Sequence, residues 1–224
     1  MTNTTTRRAV LTGAAAAAAV SLSPARAAAQ ATARRFQPAR HAQDAWLDTV
    51  PGRHRTFIDC ASVSAGAAGI LYANNLYVAN AKGYQLKESD VAVVVCLRHF
   101  ATVFAFNDAI WAKYGQALSD GVAFLDPKTK QAPAKNLLDD DSYKELPNGG
   151  FTISSVVKRG THFAVCDMAT NMLAGLVANS TKGVQEAVYQ EFVRNLIPNS
   201  HLMAAGVVAV NRAQERGYSM LTAG

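Results

Sequence analysis

Residues 90–97 read DVAVVVCL and residues 161–166 read THFAVC. The first is a continuous β-branched run with no polar alternation. Runs of that kind suit a strand buried on both faces, as in a parallel sheet. Residues 161–166 repeat the pattern in a shorter form. On either side of these runs, residues 54–62 (HRTFIDCAS) follow Pro51-Gly52 and predict a first strand. Residues 66–86 carry Ile70, Leu71, Leu76, Tyr77 and Val78 at near-helical spacing and predict a helix. Residues 100–118 predict a second helix, 152–159 a short one closed by Gly160, and 169–179 and 184–196 two more. Residues 201–204 form a short strand, 206–216 a helix capped by Gly217, and 218–221 a last strand. Strand–helix alternation of this kind gives an α/β fold: a flavodoxin-like, doubly wound, mostly parallel sheet of about five strands with helices on both faces. Residues 119–150, with Pro127, Pro133, Pro147, the acid run Asp139-Asp140-Asp141 and Gly149-Gly150, read as a long loop of the functional or mobile type, a lid among the options.

Upstream of the sheet the chain reads as an address followed by a leader. Arg7-Arg8 precede a short Ala-rich apolar run, and Ala25-Arg26-Ala27 has the form of a cleavage site. Twin arginines before a weakly apolar segment resemble a twin-arginine (Tat) export signal over residues 1–27. The apolar run is too short for a bilayer span, which takes about 20 residues, and no later stretch qualifies, so no stable membrane insertion is expected. Residues 28–52 read as a polar leader, a solvated tether, ahead of one domain over residues 53–224. Export would place the protein in the periplasm, an oxidising compartment.

The full chain has 22 Lys+Arg against 16 Asp+Glu, a formal charge of +6. Arg7, Arg8 and Arg26 leave with the signal, Arg34, Arg35 and Arg40 lie in the leader, and the body from His41 onward is neutral. A neutral body argues against nucleic-acid binding, which needs clustered positive charge. Half of the 224 residues are apolar, enough to fill a core, and 3 cysteines are too few for a disulfide scaffold. Their odd number leaves at least one thiol free or paired with another molecule.

In a doubly wound sheet the ligand site lies beyond the carboxyl ends of the strands. Cys60 ends the first predicted strand, Cys96 the second, with Arg98 and His99 just after, and Cys166 the third. Each thiol has a plain reading as a small buried hydrophobe. Cys166 is the best candidate for chemistry, because a strand-to-helix junction offers free N–H groups and the positive end of a helix dipole to a thiolate. Asp167 opposes this if its carboxylate points at the sulfur, or else caps the helix. Arg98 is a candidate to hold an anion and His99 to act as acid or base. Asn107 and Asp108 are further candidates to line the same crevice. His162 and His201 begin their strands and read as structural. The spacings match no zinc pattern, and HExxH, CxxC, GxSxG and glycine-rich phosphate loops are absent, so neither metal nor cofactor is indicated.

Residues 160–166 (GTHFAVC) and 205–218 (AGVVAVNRAQERGY), together with the valine-rich segment leading to His99, resemble the corresponding segments of DsrE/DsrF-like proteins, the sulfur-relay family that includes TusD. The resemblance covers roughly residues 53–221. It implies a parallel sheet flanked by helices, assembly as a trimer or hexamer, and a persulfide carried on Cys166 in exchange with a donor or acceptor protein. The alternative on the same fold is a non-catalytic oligomeric module binding a small ligand or metal. The export signal and the 119–150 insertion lie outside the family's pattern.

Overall fold

The computed structural model describes residues 37–224. The export signal read over residues 1–27, and residues 28–36 of the leader, lie outside the described residues. Five strands form one parallel sheet: β1 (His54–Cys60), β2 (Val91–Leu97), β3 (His162–Cys166), β4 (Ser200–Met203) and β5 (Ser219–Thr222), in the order β4-β3-β2-β1-β5. Pairing runs in register from His54↔Val91 to Cys60↔Leu97, from Val94↔His162 to Leu97↔Val165, and from Phe163↔Ser200 to Cys166↔Met203.

Every residue of β2 is buried. Its odd-numbered residues, Val91, Val93, Val95 and Leu97, enter one core, and Ala92, Val94 and Cys96 enter the other. The unbroken apolar run thus serves two faces at once, as its composition predicts. The first face is covered by α2 (Val63–Tyr84), α3 (Asp108–Val122), the short α4 (Ile153–Val157), α5 (Asp167–Thr181) and α6 (Gln185–Arg194). The second is covered by α7 (Gly206–Gln214) and by the short α1 (Trp46–Thr49). The arrangement is α/β, doubly wound and flavodoxin-like. Strands β1 to β4 step one way across the sheet with their connections on the first face. The chain then leaves β4 for the second face and returns to the far edge as β5. Among the described residues, no helix is long and apolar enough to cross a membrane.

Three expectations need correction. First, the leader does not run as a tether up to residue 52. Leu47 and Val50 are buried under the sheet, Arg55 donates to the Leu47 and Val50 carbonyls at 3.0 and 2.9 Å, and Tyr218 donates its hydroxyl to Leu47 O at 2.8 Å. The compact unit begins at Arg40. Second, residues 100–118 are not one helix. A 3-10 segment (His99–Ala105) ends at Phe106, which bridges to Leu196, and α3 starts afresh because Asn107 accepts from the N–H groups of Ala109 and Ile110. Third, the long loop is pinned rather than poised. Leu137 and Leu138 are buried, Asn136 donates to the carbonyls of Phe104 and Phe106 at 2.9 Å each, and Asp139 accepts from the N–H and hydroxyl of Ser154.

The second face also holds a histidine pair. Nδ1 of His162 lies 2.9 Å from Nε2 of His201, and Trp46 stacks on His201 with ring centroids 3.8 Å apart. Burial, and then the neighbouring His162, push the His201 pKa down to about 4, and burial lowers that of His162. In the unfolded chain a histidine titrates near about 6.5. Between that value and about 4 the unfolded state therefore binds more protons than the folded state, and stability falls as pH falls. Both rings are partly exposed, which reduces the effect to about 1–2 kcal/mol. Urea unfolding across this window is expected to show the slope, and His201→Gln to flatten it.

Candidate functional site

A doubly wound sheet opens a crevice where successive connections leave for opposite faces. Here that point lies between β3 and β4: α5 departs over one face and α7 over the other. A cavity of about 320 Å³ occupies it, lined by Arg98, His99, Cys166, Met168, Ala169, Met172, Ala205, Gly206 and Val207. Of the four other candidate residues, Arg98 and His99 therefore meet Cys166 in one cavity.

Cys166 is the N-cap of α5. Its Sγ accepts the Ala169 N–H at 3.4 Å, its carbonyl accepts the Thr170 hydroxyl at 2.9 Å, and 7 % of its surface is exposed. Sulfur thus fills the capping role usually taken by oxygen, and one free N–H of the first turn is aimed at it. Asp167 does not line the cavity, and its carboxylate accepts the Tyr189 hydroxyl from α6 at 2.7 Å. That bond, more than burial, pushes the Tyr189 pKa up to about 12.

Arg98 stands one residue beyond the last register pair of β2 with β3, Leu97↔Val165, which sets it abreast of Cys166 on the same side of the sheet. Its Nε and Nη2 donate to the two carboxylate oxygens of Asp59 at 2.6 and 2.8 Å. The pair is largely enclosed, with 27 % of the Arg98 side chain and 12 % of the Asp59 side chain exposed. The Asp59 hydrogen bonds raise the Arg98 pKa above its ordinary value, and the sulfurs of Cys96 and Cys166 act in the same direction. The arginine stem passes over Gly206, where a β-carbon would lie 2.3 Å from Arg98 Cβ. His99 has a backbone φ of +52°, a region that His enters more readily than most residues, and its ring packs on Phe100.

Asn107 and Asp108 do not line this crevice. Asn107 caps α3 and donates to Asn195, Asp108 accepts the Asn136 N–H at 2.8 Å, and both border a separate cavity with Asp139 and Pro198. An Asn-Asp pair at a helix start is a capping signal before it is a site. Cys60 and Cys96 are fully buried, and burial followed by the Asp59 charge raises both thiol pKa values well above the ordinary range. Neither lines the cavity.

Asp59, Met168, Met172 and Gly206 were not found from the sequence. Asp59 had a usable signal, a lone carboxylate at the end of an apolar strand. The methionines follow Cys166 at helical spacing on α5, but their side of the helix became visible only once α7 was placed. A larger cavity of about 440 Å³ lies along α2 between Tyr72, Leu76 and Leu221, but among the described residues no Cys, His, Asp, Glu, Lys or Arg lines it. Among the described residues, no group of three or more His, Cys, Asp or Glu side chains is placed to hold a metal ion. Compared with protein-family models and with curated proteins, the chain matches none.

Proposed function

We propose that this chain is an exported, DsrE-like sulfur carrier or sulfurtransferase-like protein in which Cys166 holds a sulfane sulfur as a persulfide. The observation that carries the reading is the Cys166 sulfur capped by the Ala169 N–H in the wall of the switch-point cavity, with Arg98 beside it. The resemblance of residues 160–166 and 205–218 to DsrE/DsrF-like segments supports it, as does the contrast with the two sealed thiols. Assembly as a homo-oligomer and passage through the twin-arginine route to the periplasm belong to the same proposal.

The chemistry is exchange without net oxidation. The Cys166 thiolate attacks the outer sulfur of a persulfide R–S–SH. A new S–S bond forms on Cys166, the donor S–S bond breaks, and R–S⁻ leaves and takes a proton from solvent. An acceptor thiolate then attacks the outer sulfur and Cys166 departs as thiolate. The second reading, a module that binds a small ligand without chemistry, has the apolar cavity walls in its favour. Intact mass after exposure to butyl persulfide separates the two. The carrier gains one sulfur that a reductant removes, and Cys166→Ser gains none. Failure to gain sulfur from butyl persulfide, glutathione persulfide and polysulfide alike would leave only the binding module.

A further inference from the structure

Resting on the sulfur-carrier reading, we infer that the donor is an organic persulfide with an apolar, uncharged body, and that anionic donors are disfavoured. Charge at the cavity decides this. Among the described residues, Arg98 is the only formally charged one lining it, and both oxygens of Asp59 already occupy its Nε and Nη2. The ion pair is close to neutral as a unit. What remains is the N-terminal ends of α5 and α7, which both open on the cavity, at Cys166, Met168 and Ala169 and at Ala205–Val207. A helix N-terminus is worth about half a positive charge, so the two together balance about one anion. The Cys166 thiolate, and after transfer its perthiolate, is that anion. A second negative charge on the donor body would meet only a guanidinium whose charge Asp59 already balances.

The walls supply the complementary half of the argument. Met168, Met172, Ala169, Ala205 and Val207 enclose the remaining space, and at the mouth Met168 and Val207 are 69 % and 61 % exposed. Flexible thioethers beside small side chains accept alkyl bodies of varied shape. About 320 Å³ is room for a small molecule and lies at the low end of ligand cavities. The transfer step is the balanced exchange already given, with R an alkyl group and R–S⁻ the leaving thiolate.

The test compares butyl persulfide with 2-carboxyethyl persulfide on the full chain, following sulfur gain by intact mass. Each rate is divided by that of free N-acetylcysteine with the same donor, which removes differences in intrinsic reactivity. The expected preference for the butyl donor is about tenfold or more. Asp59→Asn keeps the shape of the side chain and releases the Arg98 charge, and is expected to raise the carboxyethyl rate about tenfold while moving the butyl rate little. Met168→Lys, at an exposed position that the fold does not depend on, should shift the ratio the same way. Equal rates in the wild type, or a preference for the carboxylate donor, would overturn the inference and leave the carrier reading intact. No sulfur gained from either donor would overturn the inference, and the carrier reading with it once glutathione persulfide and polysulfide also fail.

Discussion

Gly206→Ala is expected to lower stability by about 3 kcal/mol, more than most single methyl additions. The new β-carbon would sit 2.3 Å from Arg98 Cβ, 2.8 Å from its Cδ and 3.1 Å from its Cγ. Swinging the end of the arginine aside relieves the last two contacts but not the first, because Cβ is fixed to the backbone just past β2. Either α7 lifts from the second face, where Ala209 and Ala213 are buried, or the β2 end moves and takes Arg98 away from Asp59. For a domain of this size each kcal/mol is worth about 2–4 °C in Tm, so the melting curve should fall by about 6–12 °C. Arg98→Gly removes the opposing Cβ. The double variant should then cost less than the two single variants together by more than about 1 kcal/mol. Gly217→Ala is the comparison: nothing lies within 4 Å of its added carbon, and only the φ of +77° resists it. A Gly206→Ala protein melting with the wild type would mean that α7 does not pack on the Arg98 stem.

Arg98→Ala carries the second large effect. It leaves the Asp59 carboxylate, 12 % exposed, without its cation. Breaking an enclosed pair from one side costs about 3–5 kcal/mol when both groups are fully buried, and the partial exposure of this pair brings the expected loss to about 2–3 kcal/mol. Arg98→Ala combined with Asp59→Ala should recover at least about 1 kcal/mol of that in urea unfolding, since no charge is then left stranded. The single variant should also load sulfur about tenfold or more slowly, because an uncompensated carboxylate then faces the thiolate and the entering persulfide. Arg98 is in this sense a positioning and charge-balancing residue. Its substitution tests the electrostatics, with the stability loss and the rate loss separable through the double variant: stability recovers there, and so does the rate, because the opposing carboxylate is gone.

The parallel sheet was legible because its signal is local. A run such as VAVVVCL is too apolar for a half-exposed strand, and each such run was followed by a helical pattern. The strand ends placed Cys166, Arg98 and His99 on one edge before any coordinates, since in this fold carboxyl ends of strands share an edge. What was misread depended on partners distant in sequence. Asn107-Asp108 looked like site polarity but is a cap, and its true role follows from Phe106 bridging to Leu196. Trp46 and Leu47 looked like part of a leader because so short a helix gives no periodic signal. Leu47 is held by the nearby Arg55 and, from far along the chain, by Tyr218, and Trp46 stacks on His201. The 119–150 segment reads as a functional or mobile loop from its prolines, acid run and glycines, yet Asn136 and Leu138 anchor it to the body. The charge of Arg98 was visible, whereas its neutralisation by Asp59, on which the choice of donor turns, belongs to strand register and could not be read from spacing.

Peptide mapping of the native protein after brief treatment with butyl persulfide shows which thiol takes the sulfur, because three compete in one molecule. Cys60 and Cys96 are sealed and Cys166 borders the cavity. The added sulfur is expected on the peptide carrying Cys166, with the peptides of Cys60 and Cys96 unchanged. Sulfur on Cys60 or Cys96 while Cys166 stays bare would contradict it.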